Sequence, residues 1–328
     1  MSASISSPAE MSALPPSVPT TTLPRSGSTQ TRLAARRARM LREKFIEFLL
    51  FLAALSSVAT TTAIVFILVG ESLPFFAAIP LKDILFDTQW TPLFDDAHYG
   101  IVVLLSGTMV SSAVALSVAI PFGTVIALYL SEFASFRVRE VAKPTLELLS
   151  GVPTIVFGYF ALLVVTPILQ KIFPGLPGFS LLSAGLVMGI MIIPYVASIS
   201  EDAMRAVPMN LREGSYAMGA TRFQTAVRVV TPAAFSGIIA AYILGSSRAV
   251  GETMILAVAA GMQPNLTWNP AEPAATITSY IVQVALGDLP HGSIGYQTIF
   301  IAGLSLFIIT LLFNMLGFWL SKKYRQVY

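Results

Sequence analysis

Arg248 and Glu252 lie four residues apart in an otherwise apolar stretch, AAFSGIIAAYILGSSRAVGETMILAVAAG, from Ala233 to Gly261. A cation and an anion at that spacing share a face of an α-helix and can pair. Arg248 is about 15 residues into the stretch, which at 1.5 Å per residue places it roughly 22 Å deep. An ionised side chain at the centre of a membrane helix costs about 2.5–3.5 kcal/mol, so such residues turn inward and mark polar pathways. Ala241, Gly245, Ile255 and Ala259 fall on the same side as Arg248. Three of the four are small, as a close helix contact or a lumen wall requires. A fixed guanidinium makes an anion the expected passenger. The competing reading is a buried pair that only fixes helix register, and full neutralisation by Glu252 would remove the anion inference.

Composition sets the solvent in which this pair stands. The 328 residues are 55% hydrophobic and 11% charged, against about 25% charged in a soluble domain. The fold class is therefore all-α, a polytopic membrane protein. Six stretches are long and apolar enough to span a bilayer: 45–69, 101–130, 146–169, 179–199, 233–260 and 299–320. Residues 273–286 are short and interrupted by Thr276, Thr278, Ser279 and Gln283, and read as an interfacial or re-entrant helix. With no cysteine and two distant histidines, His98 and His291, no metal site is expected. Nor does any cofactor motif occur: the phosphate-binding loop G-x-x-x-x-G-K-[ST] is absent, so ATP hydrolysis would need another chain.

Seventeen of the twenty Lys and Arg residues fall on one side of a six-span arrangement, before span one, between two and three, between four and five, and after six. The positive-inside rule then puts both termini in the cytoplasm. Residues 1–44 read as a cytoplasmic tail, Ser/Thr/Pro-rich and disordered to about residue 31, then basic and suited to anionic membrane lipid. A transit peptide is the competing reading of that composition. Residues 45–328 form the transmembrane domain.

The loop 200–232 is polar by the standards of this chain and reads from Asn210 as short amphipathic helices. Asn210 with Glu213 offers a capping box, Gly219 breaks the run, and Pro232 opens the next span where a missing N–H is harmless. Tyr216, Ala217 and Phe223 give it an apolar docking face; a plain connector on the membrane surface fits the same composition. Pro153 and Pro194 can kink their helices and are candidate hinges.

Glu213, Gly214 and Ser215, then Gly219, Val229 and Pro232, resemble the EAA loop of bacterial ABC-importer permeases, departing from it at Gly214, Ser215 and Thr231. In that family the loop is the coupling helix seated on the ATPase, a role that falls here on Glu213, Ser215, Ala217, Gly219, Ala220 and Pro232. Ser150–Thr154, Ile190–Pro194, Ser198–Ala203, Tyr129–Glu132 and Arg248–Met254 are similar to permeases of phosphate-specific ABC importers, the PstC type more than the PstA type. The similarity covers about residues 100–321. It implies the type I, MetI-like importer fold with six spans, in a bacterial inner membrane. It also implies phosphate passage at Arg248 and Glu252, and three kinds of partner: an ATPase dimer, a PstA-type sister permease and an extracytoplasmic phosphate-binding protein. No nucleic acid is expected. Another oxyanion such as molybdate or sulfate, or an ion-coupled carrier, are the alternatives.

Overall fold

The computed structural model describes residues 29–323 apart from 93, 95, 288, 289 and 291. The Ser/Thr/Pro-rich tail through Ser28, together with His291, lies outside the described residues. The described residues of Met1–Thr62 and those of Ala63–Tyr328 form separate compact units. Helix α1 (Thr29–Ala78) runs from the first into the second and is longer at both ends than the expected 45–69. In the first unit, the hydroxyls of Thr60, Thr61 and Thr62 donate to the carbonyls of Ser56, Ser57 and Val58 at 2.8–3.0 Å. That partnering lets hydroxyls stand in an apolar span.

In the second unit, α2 (Leu81–Phe86) precedes α3 (Val102–Leu128), which ends in a π-helical turn, Tyr129–Phe133. Then come α4 (Phe136–Ser150), α5 (Thr154–Phe160), a π-helical turn Ala161–Val165, and α6 (Thr166–Ile172). α7 (Leu181–Arg205) leads into α8 (Met209–Ala217) and α9 (Arg222–Thr225). A third π-helical turn, Ala226–Val230, joins α9 to α10 (Thr231–Ala233) and α11 (Phe235–Val250). α12 (Met254–Ala259), α13 (Ile277–Ala285) and α14 (Ile294–Lys323) complete the chain. Among the described residues five helices are long and apolar enough to cross a membrane, or up to six if the pair Arg222–Ala233 and Phe235–Val250, bent by 72°, counts as one span.

The third span begins later than the sequence suggests. Leu146, Leu148 and Leu149 belong to α4, an amphipathic helix with no buried residue, and not to the span itself, which runs Thr154–Ile172. Gly151–Pro153 separates the two because Pro153 is extended (ψ 131°) as the N-cap of α5. α13, with nine residues, is only about 14 Å long and cannot span a bilayer.

α7 is the most buried span and the hub of packing. It crosses α3 so closely that a Cβ on Gly189 would stand 2.7 Å from the Ala115 carbonyl oxygen. It also takes the α11 part of the small-residue stripe: a Cβ on Gly245 would stand 3.1 Å from Val196 Cγ2, and Ala241 is fully buried. This is the close helix contact that the stripe predicts.

At the end of the unit holding α13, Phe75, Trp90, Tyr280 and Ile301 share an apolar cluster, with Trp90 and Tyr280 edge to face at 5.1 Å. The connection above it is tied by His98 Nδ1 to Asp87 Oδ2 at 2.7 Å, with Asp96 3.6 Å from Nε2. The hydrogen bond to Asp87 raises the His98 pKa. Burial pushes Asp87 up, but the bonds from His98 and Gln89 outweigh it and hold its carboxyl below the usual value. The raised imidazole stabilises this connection fully below its unfolded pKa of about 6.5 and loses that contribution as pH rises through its folded value. The depressed carboxyl acts above about 3.9 and fades as pH falls through its folded value. Amide exchange over residues 87–100, corrected for intrinsic rate, is therefore slower at pH 5.5 than at pH 8.5. His98→Asn removes that difference; an unchanged difference refutes the role given to the pair.

Candidate functional site

Arg248 and Glu252 do not pair. No ion pair within 4 Å joins them among the described residues, because the helix that would align them stops between them. α11 ends at Val250, Gly251 is its C-cap, and α12 starts at Met254. Arg248 sits in the last turn of α11, where the negative end of the helix dipole favours a cation. Glu252 sits just before α12, where the exposed amides favour an anion. Its Oε1 accepts from the amides of Met254 (3.1 Å) and Ile255 (3.4 Å). Each charge is thus compensated by its own helix end.

The Glu252 carbonyl in the break is partnered as well. Thr278, at the start of α13, donates its hydroxyl to the Glu252 carbonyl at 2.7 Å. The Ile277 amide beside it donates to the Thr108 hydroxyl of α3 at 3.1 Å. Irregular backbone at membrane depth survives only where it is buried in protein or lines a water-filled cavity, and α13 partners the Glu252 carbonyl here.

What Arg248 has in place of Glu252 is an aromatic face. Its guanidinium carbon lies 4.3 Å from the ring centroid of Tyr195 on α7. Its Nε is buried without a hydrogen-bond partner. A cation–π contact worth about 0.5–2 kcal/mol holds the side chain without cancelling its charge. Tyr195 also borders a cleft of about 180 Å³ lined by Glu147, Ser150, Pro194 and Ser198 among others. Pro194 is buried inside α7, one residue before Tyr195. Pro153, by contrast, lies outside any helix interior.

The loop 200–232 divides into α8 and α9 around a turn at Met218–Ala220. α7 continues through its first residues to Arg205. Asn210 does not cap: the N-cap of α8 is Pro208, and the capping box is instead Thr221 with Gln224 at the start of α9. Gly219 ends the first helix at φ +83°, with nothing within 4 Å of a Cβ built there. Glu213, Ala217, Met218 and Phe223 are exposed, while Ser215 Oγ meets Thr225 Oγ1 at 2.9 Å across the turn. Ala220 is half-buried, and Pro232 lies in the first turn of α10.

A charge network at this end was not anticipated from the sequence. Arg212 of α8, nearly buried, reaches Glu132 at the end of α3 (Nη2–Oε1 2.9 Å) and donates to the carbonyls of Met204 and Val207. Glu201, 1% exposed near the end of α7, has Lys143 at 3.0 Å, with Arg205 and Arg139 at 3.6–3.7 Å. Arg139 is itself fixed to the carbonyls of Leu130 and Ser131. These contacts bind α8, α4 and the ends of α3 and α7 together. The available signal was acids at the ends of spans two and four facing arginine-rich connections.

Residues 119–326 match the family described as the inner membrane component of binding-protein-dependent transport systems. The chain belongs to this family. The permease is 33% identical to a probable ABC transporter permease protein, YqgH, of Bacillus subtilis, over 89% of this chain and 94% of that one. It is 31% identical to the phosphate transport system permease protein PstC of Haemophilus influenzae, over 74% and 81%. Among solved structures, a bacterial alginate ABC transporter in complex with its alginate-bound periplasmic protein shares the fold, with a TM-score of 0.60 at 16% identity. That match covers 88% of this chain and 99% of that one. A MetNI methionine ABC transporter does so with a TM-score of 0.51 at 20% identity, over 69% and 95%. The permease is thus a multi-pass inner-membrane component of the ABC-importer fold that works with a binding protein.

Proposed function

We propose that this permease is the membrane-spanning subunit of an ATP-driven phosphate importer, forming the pathway with a PstA-type sister permease above an ATPase dimer. The observation that carries the reading is Arg248, a cation in span five whose nearest charged neighbour in sequence, Glu252, is engaged elsewhere. Relatives named as phosphate transport permeases supply the identity of the anion. Arg248 offers transient compensation to the passing anion. Glu252, next to it in the chain, keeps net attraction weak enough for release.

The charge bias of the connections supports cytoplasmic termini, and hence a cytoplasmic α8–α9 segment with Glu213, Ser215, Ala217, Gly219, Ala220 and Pro232 as the coupling loop. Residues 1–44 form the tail and 45–328 the permease domain. Pro153, between α4 and α5, and Pro194, beside Tyr195, serve as hinges when the spans rock between outward- and inward-facing states.

Reconstitution with the sister permease, ATPase and binding protein is expected to give phosphate uptake that needs ATP and all the partners. Uptake by this chain alone on an ion gradient would sink the reading, as would a strong preference for molybdate or sulfate. A second test addresses coupling. Gly219→Val forces a β-branched residue to positive φ, a cost of about 1–2 kcal/mol, whereas Asn tolerates that region. ATP hydrolysis per phosphate transported rises in Gly219→Val and stays normal in Gly219→Asn. Equal behaviour of the two variants removes Gly219 from the coupling loop.

A further inference from the structure

A cleft of about 550 Å³ opens between α8–α9 and the ends of the spans. Four arginines line it: Arg139 from α4, Arg205 from α7, Arg212 from α8 and Arg222 from α9, with Glu132 as the acid among the lining residues. Their states differ. Arg212 is committed to Glu132 and two carbonyls, and Arg139 directs Nε and Nη2 at carbonyls. Arg205 is half-exposed and reaches Glu201 only at 3.6 Å. Arg222 makes no ion pair or side-chain hydrogen bond among the described residues. In the whole cluster five cations (Arg139, Lys143, Arg205, Arg212, Arg222) face three carboxylates (Glu132, Glu201, Asp202), an excess of two positive charges.

Two positive charges are thus left with two open guanidinium forks in a concave site, beside two arginines that cannot swing away. Guanidinium forks match tetrahedral oxyanions in geometry and charge. We propose that this cleft binds a phosphate group, gripped by Arg205 and Arg222 and backed by the fixed charges of Arg139 and Arg212. The walls belong to the coupling segment on one side and to α4 and α7 on the other, so occupancy ties them and slows their relative movement. The site takes its cytoplasmic side from the function proposed above; its chemistry stands on the cleft. The same chemistry has two sources, inorganic phosphate and the headgroup of an anionic phospholipid.

The test uses the membrane complex of both permeases and the ATPase, without the binding protein and carrying Arg248→Gln, so that the pathway contact is absent. In nanodiscs of phosphatidylcholine, radiolabelled inorganic phosphate binds and lowers the ATPase rate. Arg205→Ser with Arg222→Ser, both at exposed side chains, weakens that binding about tenfold or more. In phosphatidylglycerol nanodiscs the same comparison is made by native mass spectrometry. Lipid retained by the parent and lost from the double variant, with weak free-phosphate binding, assigns the headgroup as the source. Identical phosphate and lipid binding in parent and double variant overturns the proposal. So does a double variant that binds both normally but sheds the ATPase, since an acidic group of that subunit would then fill the cleft. Normal uptake in Arg248→Gln would refute the pathway assignment and leave this binding measurement intact.

Discussion

Replacing Arg248 by Gln lowers phosphate uptake on the order of 10- to 100-fold while the permease still folds and assembles. The loss follows from removing a charged hydrogen-bonding group, worth about 1.5–3 kcal/mol. Folding survives because Arg248 has no ion pair to orphan; its neighbours are the Tyr195 ring and the end of α11. The aromatic contact gives a graded control. Tyr195→Phe keeps a ring under the guanidinium and retains most uptake, whereas Tyr195→Leu leaves the cation unheld and falls toward the Arg248→Gln level. Tracer uptake into proteoliposomes, with complex yield measured alongside, decides the matter. Full transport by Arg248→Gln removes Arg248 from the pathway.

The second large effect is at Arg212. Its side chain is 10% exposed and that of Glu132 is 6%. Deleting one member of a buried pair costs about 3–5 kcal/mol because the other is left charged and dry. Arg212→Met also leaves the carbonyls of Met204 and Val207 without this donor. α8 then loses its hold on α3 and α7, so ATP hydrolysis continues while phosphate moved per ATP falls about tenfold, the equivalent of losing about 1.4 kcal/mol of coupling. Thermal unfolding adds a check on cause. Glu132→Leu combined with Arg212→Met melts higher than Arg212→Met alone, since no orphan charge remains. Unchanged coupling in Arg212→Met would show that this clamp transmits nothing.

The spans were legible because a bilayer demands length and apolarity, and both are written locally. Where the reading failed, the deciding contact lay elsewhere in the chain. The run from Leu146 onward looks like the start of a span until Pro153 is seen to be extended and α4 to lie apart. Gly251 does not announce a break, since glycine is frequent in membrane helices; the partner of the Glu252 carbonyl, Thr278 of α13, comes 26 residues later. Arg248 and Glu252 stood out by charge alone, while their wiring did not. Tyr195 precedes Arg248 by 53 residues, and Arg212 follows Glu132 by 80, beyond the reach of any local spacing rule.

The partnered break in span five has an electrical consequence. A gap in a membrane helix normally recruits a file of water to its bare amides and carbonyls, and such a file conducts protons. Here the Met254 and Ile255 amides end on the Glu252 carboxylate, and the Glu252 carbonyl ends on Thr278. Those groups have no use for water. Each elementary charge crossing 100 mV dissipates about 2.3 kcal/mol, so filling these three groups with protein partners leaves a proton-conducting file fewer footholds at the break.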